Sequence, residues 1–354
     1  MFSSLPLFAL VGIFVAAAAI VWIAGIQLSN TTDILSSRFG LGQALGGLIL
    51  LAFVTNLPET AITATAALSH NIGIAVGNIL GGIAVQTVVL VLLDGFGVPD
   101  HPLTYRAASL VLVLEGALVI GVLAVAVMGT QLPSSLIVAR VGPGALLITI
   151  VWLAGLWLLD RASKGLPWHE QGYAPGSQPA PGSNDAEKKR EAKDRGISTL
   201  RAAAIFAVAA LATLAGGIAL EESGNEIAVH VGLSGVIFGS TFLAAATSLP
   251  ELSTGLASVK IGDYRLAFSD IFGGNAFLPV LFLLATLLSG QTVLPAAHKT
   301  DIYLTSLGIL LTMVYLWGLI FRPQRQYLRL GLDSILVLFL YLLGVAGLIA
   351  VAHG

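Results

Sequence analysis

Cysteine is absent, histidine is scarce and charge is thin in this chain of 354 residues, in which Asp, Glu, Lys and Arg together make up 10%. Ordinary soluble domains carry about 25% charged residues. With 56% hydrophobic residues, the chain reads as a membrane protein. The six histidines, His70, His101, His169, His230, His298 and His353, fall in loops or near the ends of apolar runs. Zinc and copper, which favour thiolate or imidazole, therefore have no evident ligand set at membrane depth. No nucleophile, histidine cluster or phosphate-binding glycine loop is present, which argues against an intramembrane enzyme. No cofactor, nucleic-acid partner or obligate protein partner is expected; the surroundings are the lipid bilayer.

What the chain has is apolar windows of about 20 residues, the length that crosses a hydrocarbon core of roughly 30 Å. Ten are expected, at 6–28, 41–68, 72–93, 104–128, 139–160, 198–220, 232–259, 264–289, 299–321 and 329–352. The opening MFSSLP carries no Lys or Arg and the apolar run after it is too long for a signal peptide, so the first window reads as a true span. With the N-terminus outside, Arg38, Arg106, Lys260, Arg265, Arg322, Arg325, Arg329 and the eight basic residues from Arg161 to Arg201 fall inside, and only Arg140 and Lys299 fall outside. Positive charge is retained on the cytoplasmic face, so this alternation supports both the span count and the orientation. Both termini are then outside. The expected home is the inner membrane of a prokaryotic cell. Residues 161–197, rich in Pro, Gly and Ser and then in charge, read as a mobile cytoplasmic linker. The linker cluster of Lys188, Lys189, Arg190 and Lys193 either touches anionic lipid or is a solvated face.

The linker separates two groups of five spans, residues 1–160 and 198–354, and the halves repeat. At an offset of 192, TNLPETAITATAALSHNIGIAVGNILGG from Thr55 aligns without a gap on TSLPELSTGLASVKIGDYRLAFSDIFGG from Thr247. Leu-Pro-Glu meets Leu-Pro-Glu, and Gly81-Gly82 meets Gly273-Gly274. Five is odd, so the two copies enter the membrane upside down relative to each other, as inverted repeats do in many secondary transporters. Such symmetry brings Glu59 and Glu251 to a shared midplane site.

Each copy suits a hard cation. Thr55, Asn56 and Glu59 share one helical face, as do Thr247, Ser248 and Glu251. Pro58 cannot donate to the carbonyl of Val54, nor Pro250 to that of Ala246, so both helices should break and expose backbone oxygen. Carboxylate, hydroxyl, amide and carbonyl oxygens favour calcium, sodium, magnesium or manganese, and two glutamates balance one divalent ion. A lone proline in such a helix is commonly a packing kink. Two inverted copies, each with a carboxylate costing about 3 kcal/mol to insert unpaired, point to function. The paired glycines and the Gly77 to Gly81 spacing are expected to allow close helix approach.

VTNLPE and ATSLPE, followed by GNILGG and SDIFGG, resemble the alpha-1 and alpha-2 repeats of the cation/calcium exchanger superfamily, and of its sodium/calcium exchanger branch most of all. The resemblance implies an all-helical integral membrane fold of two inverted five-helix repeats, with motifs at about 52–86 and 244–278 and the first and sixth spans lying across the core as a movable layer. It implies an alternating-access antiporter exchanging calcium for sodium. It places the ligands at Glu59, Glu251, Thr55, Thr247, Asn56 and Ser248, with the carbonyls of Ala52 and Ala244. The linker is too short for the large calcium-sensing domains of some relatives.

The chain departs from the pattern at Gly82 and Gly274, where serine is usual, and at Gln86 and Leu278, where asparagine or aspartate is usual. These flanks are expected to be poor in oxygen. Asp270 and Asn275 are candidate replacements; Asp270 could equally sit at the ion entrance or cap the eighth span. Glu115 either carries protons or bonds a neighbouring helix. A desolvated carboxylate pair lets protons compete with the cation, which keeps exchange of a divalent cation for protons as the alternative; a passive channel fits inverted repeats less well.

Overall fold

The computed structural model describes residues 2, 4–38, 52–70, 72–98, 100–107, 109–137, 140–167, 197–232, 238–260 and 262–353. The expected basic cluster of the linker lies outside these residues. Eight helices among the described residues are long and apolar enough to cross a membrane. They are span 1 (Leu7–Arg38), span 3 (Ile72–Gly97), span 4 (Leu110–Thr130), span 5 (Pro143–Ser163), span 6 (Thr199–Val231), span 8 (Tyr264–Ser289), span 9 (Lys299–Phe321) and span 10 (Leu332–His353). The two remaining expected spans are interrupted helices. Span 2 shows a turn of helix at 52–55 and then Leu57–Leu68; span 7 shows a π-helical turn at Gly239–Leu243, then Ala244–Thr247 and Leu249–Lys260. The protein is thus an all-helical integral membrane protein, apart from one two-residue hairpin, Gln326–Tyr327 with Leu330–Gly331, ahead of span 10.

Local chemistry sets the ends. Ser198 accepts from the Arg201 N–H at 3.3 Å to start span 6, and Gly232 in left-handed conformation (φ 70°) ends it. Asp263 accepts from the Leu266 N–H at 3.1 Å to start span 8. Spans 1 and 6 run well past the expected ends at residues 28 and 220. In span 6 the polar pair Glu221-Glu222 does not stop the helix, and Gly224 beyond it stays helical against Phe238 and Phe14; the backbone turns left-handed only at Gly232. Asp94, fully buried at the end of span 3, accepts from the Leu103 and Gly331 N–H groups at 2.7 and 2.6 Å and ties two loops together.

Burial orders the spans into a centre and a rim. In spans 3 and 8, 89% and 67% of the apolar window is buried, against 17% in spans 5 and 10. Spans 1 and 6 pack along each other in opposite directions, Val21 meeting Gly216 and Phe14 meeting Gly224, while Arg38 at the end of span 1 donates to Thr199 Oγ1 at 2.8 Å at the start of span 6. Repeat-related elements therefore run antiparallel, as inverted topology requires.

This pair crosses the two interruptions. A Cβ on Gly25 would lie 2.7 Å from Pro250 Cβ, and one on Gly217 would lie 3.1 Å from Pro58 Cα. Gly25 and Gly217 are themselves related by the offset of 192, so each repeat's first span presses on the other repeat's proline. At Gly81 a Cβ would meet Ser240 at 2.9 Å, which bears out close approach there; at Gly77 nothing lies within 4 Å among the described residues, so the first glycine of that spacing is not a contact. Overpacking a rigid contact costs about 1–3 kcal/mol. Gly25→Val should therefore lower the melting temperature of the purified protein, while Gly12→Val on the open face of the same helix should leave it unchanged. Equal melting of the two variants would contradict this packing.

Candidate cation site

The interruptions are matched in detail. Asn56 (φ −86°, ψ 18°) and Ser248 (φ −81°, ψ 6°) stand at equivalent turns, each followed by Leu-Pro-Glu opening a new helix. Proline suits the first turn of a helix, where its missing N–H costs nothing. Glu59 and Glu251 then fall in the first turn of their half-helices, and both are fully buried.

The two glutamates come from opposite repeats and meet at one side chain. Gln86 Nε2, from span 3, lies 3.4 Å from Glu59 Oε1, 3.4 Å from Glu251 Oε1 and 2.9 Å from Asn56 Oδ1. Thr247 approaches Glu59 and Thr55 approaches Glu251, so each carboxylate also draws on a threonine of the other repeat. Glu59 Oε2, Glu251 Oε2, Gln86 Oε1 and Asn275 Oδ1 are buried without a hydrogen-bond partner. Amide oxygens and ionised carboxylates only accept, and the unsatisfied acceptors brought together on Glu59, Glu251 and Gln86 are what a positive charge relieves.

The other expected residues surround this centre. Ala52 O accepts from Asn56 Nδ2 at 2.7 Å and Thr55 Oγ1 at 3.4 Å; Ala244 O accepts from Ser248 Oγ at 2.8 Å and Thr247 Oγ1 at 3.2 Å. Asp270 is not the cap of span 8, a role that Asp263 fills. It is buried, accepts from Thr55 Oγ1 at 3.3 Å and also bonds Thr254 Oγ1. Its repeat counterpart Asn78 instead donates to Glu59 O at 3.1 Å. Asn275 Nδ2 donates to Thr87 Oγ1 at 3.0 Å, and Glu115 accepts from Ser269. Thr254 and the two glycine contacts Gly25 and Gly217 escaped notice in the sequence. Gly217 could have been found by carrying the offset of 192 into span 1.

The flanks are not equally poor in oxygen. A Cβ on Gly274 would lie 2.7 Å from Asn56 Nδ2 and 3.3 Å from Gln86 Oε1, so the two amides occupy the room that a serine there would need. A Cβ on Gly82 would meet Leu278 Cδ1 at 3.6 Å, an ordinary contact, so hydrocarbon borders that flank without blocking it.

Comparison with known proteins bears directly on this arrangement. The family model described as sodium/calcium exchanger protein matches residues 8–168 and 201–350. The chain belongs to the sodium/calcium exchanger family. It is 25% identical over 300 residues to the inner membrane protein YrbG of Escherichia coli, covering 84% of this chain and 86% of that one. It is 25% identical over 315 residues to the putative antiporter CaxA of Alkalimonas amylolytica, with the same coverages. Its fold matches the sodium-calcium exchanger NCX_Mj with a TM-score of 0.62 at 18% identity, over 96% of this chain and 99% of the other. As a member of this family of cation transporters, the chain is not an enzyme.

The crowding at Gly274 predicts a coupled pair. Gly274→Ser should destabilise the protein by about 1–3 kcal/mol as it pushes Asn56 aside. Asn56→Ser with Gly274→Ser should recover most of that loss, which thermal unfolding of the two single variants and the double variant will read. Additive effects would show that the two side chains do not compete for this space.

Proposed function

We propose that this chain is a secondary antiporter that exchanges calcium for sodium by alternating access, with Glu59 and Glu251 as principal ligands. The carrying observation is that the two carboxylates converge on Gln86 Nε2 while each keeps a buried oxygen without a partner. Two carboxylates balance one divalent cation, and the neighbouring hydroxyls and amides complete an all-oxygen set suited to calcium. Thr55, Thr247, Asn56, Ser248, Asp270, Asn275 and the carbonyls of Ala52 and Ala244 form the surround. Ligands drawn from both repeats across antiparallel spans suit a site opened alternately to either side.

The hydrocarbon flank at Gly82 and Leu278 supports fewer sodium positions than the family pattern provides. It also favours a second reading, divalent cation against protons, because fewer oxygens remain for a second metal ion. The orientation follows the basic residues, with both termini outside and residues 161–197 in the cytoplasm; the inner membrane of a prokaryotic cell is the proposed location, as in the relative YrbG.

Reconstituted vesicles loaded with calcium separate these readings. A sodium gradient is expected to drive calcium flux, and Glu59→Gln or Glu251→Gln should each abolish it without unfolding the protein. Flux driven by a proton gradient alone selects the second reading. Wild-type exchange in both glutamine variants would remove the assignment of the site.

A further inference from the structure

Glu115, in span 4, stands apart from the paired glutamates. It is 5% exposed; Oε1 accepts from Ser269 Oγ at 3.0 Å, and Oε2 is buried without a partner. The side chain lines a crevice of about 50 Å³ between spans 4, 5 and 8, walled by Leu118, Trp152, Leu156 and Phe272. The walls are mostly hydrocarbon, so water is held only where Glu115, Ser163, Ser269 and the Ala52 backbone offer polar partners. It extends from Ser163, at the linker end of span 5, to Ala52, whose carbonyl holds Thr55 and Asn56.

Among the described residues, no neighbouring charge is committed to Glu115. On span 5, Asp160 pairs with Lys164 and the Arg161 guanidinium stacks on Trp157. On span 8, Asp270 turns to Thr55 and Thr254, Tyr264 packs in the apolar core and Arg265 is exposed. On span 9, Lys299 is exposed, Asp301 accepts from the His298 N–H, Tyr303 packs on Gly347 and Tyr315 meets Ser334. A carboxylate oxygen with no cation and no donor, beside space of water size, is suited to a proton.

We propose that Glu115 is a proton-binding site distinct from the cation site, loaded by water held at its own carboxyl and the Ser269 hydroxyl. A proton from that water bonds to Oε2 and converts the carboxylate to the neutral acid; release returns it to water. The charged form holds the Ser269 hydroxyl by a charge-assisted hydrogen bond, and the neutral form holds it more weakly. Ser269 adjoins Asp270 in span 8, so loading is felt at Thr55 and Thr254. This coupling to transport rests on the antiporter reading, whereas the proton site itself does not.

Infrared difference spectroscopy of the full-length protein in lipid, stepped from alkaline to acid pH, reads the site directly. The C=O band of protonated carboxylic acid should lose one component in Glu115→Gln and keep that component in Glu59→Gln. Ser269→Ala should shift the component without removing it, which tests the same carboxyl should the glutamine variant fold poorly. In calcium-loaded vesicles, Glu115→Gln should remove one titration from the pH profile of the exchange rate and leave that of the paired glutamates in place. Bands unchanged by Glu115→Gln, or by Ser269→Ala where only that variant folds, would overturn the proton site. A wild-type pH profile in Glu115→Gln would overturn the coupling. Absence of calcium flux under any gradient would defeat the antiporter reading and leave the spectroscopic test intact.

Discussion

Two carboxylates held within reach of one amide nitrogen, at membrane depth, set the terms for the rest of this structure. A single carboxylate there costs several kcal/mol unless something compensates it, and two together also repel. Gln86 Nε2 offsets part of that cost by donating toward both glutamates, and threonines from the opposite repeats add to it. An amide carries no net charge, so it organises the pair without neutralising it. The interrupted helices, the buried third and eighth spans and the glycine contacts are the scaffold that brings such groups together.

The pseudo-twofold relation is close in the backbone and broken in the chemistry. Both half-helices open with Leu-Pro-Glu after a turn of nearly the same dihedral angles. Asn56 stands opposite Ser248, Asn78 opposite Asp270 and Gln86 opposite Leu278. Only the last of these exchanges polarity for hydrocarbon: the amides of Asn56 and Gln86 gather beside Gly274, and Leu278 borders Gly82.

Much of this was legible because it rests on backbone rules and on the repeat. Proline in an apolar run marks the two interruptions, and the repeat offset pairs Glu59 with Glu251 without any coordinates. What could not be read were facts of side-chain reach. Glycine in place of serine looks like loss of an oxygen, and only packing shows that Asn56 and Gln86 fill the gap at Gly274 while Leu278 borders the one at Gly82. Helix ends at polar pairs misled for a related reason: Glu221 and Glu222 carry charge but leave the backbone free to continue. The Gly77 spacing misled because a small-residue pattern records what would fit and not what is there.

Gly25 lies on Pro250, and Gly217 lies on Pro58. Each half of the molecule thus carries the small residue against which the other half's broken helix packs, and neither half holds both. A gene encoding five spans alone would supply a broken helix without its packing partner. The sequence constraint is correspondingly crossed: a bulkier residue at position 25 must be answered at position 250, in the other half, and never within its own repeat.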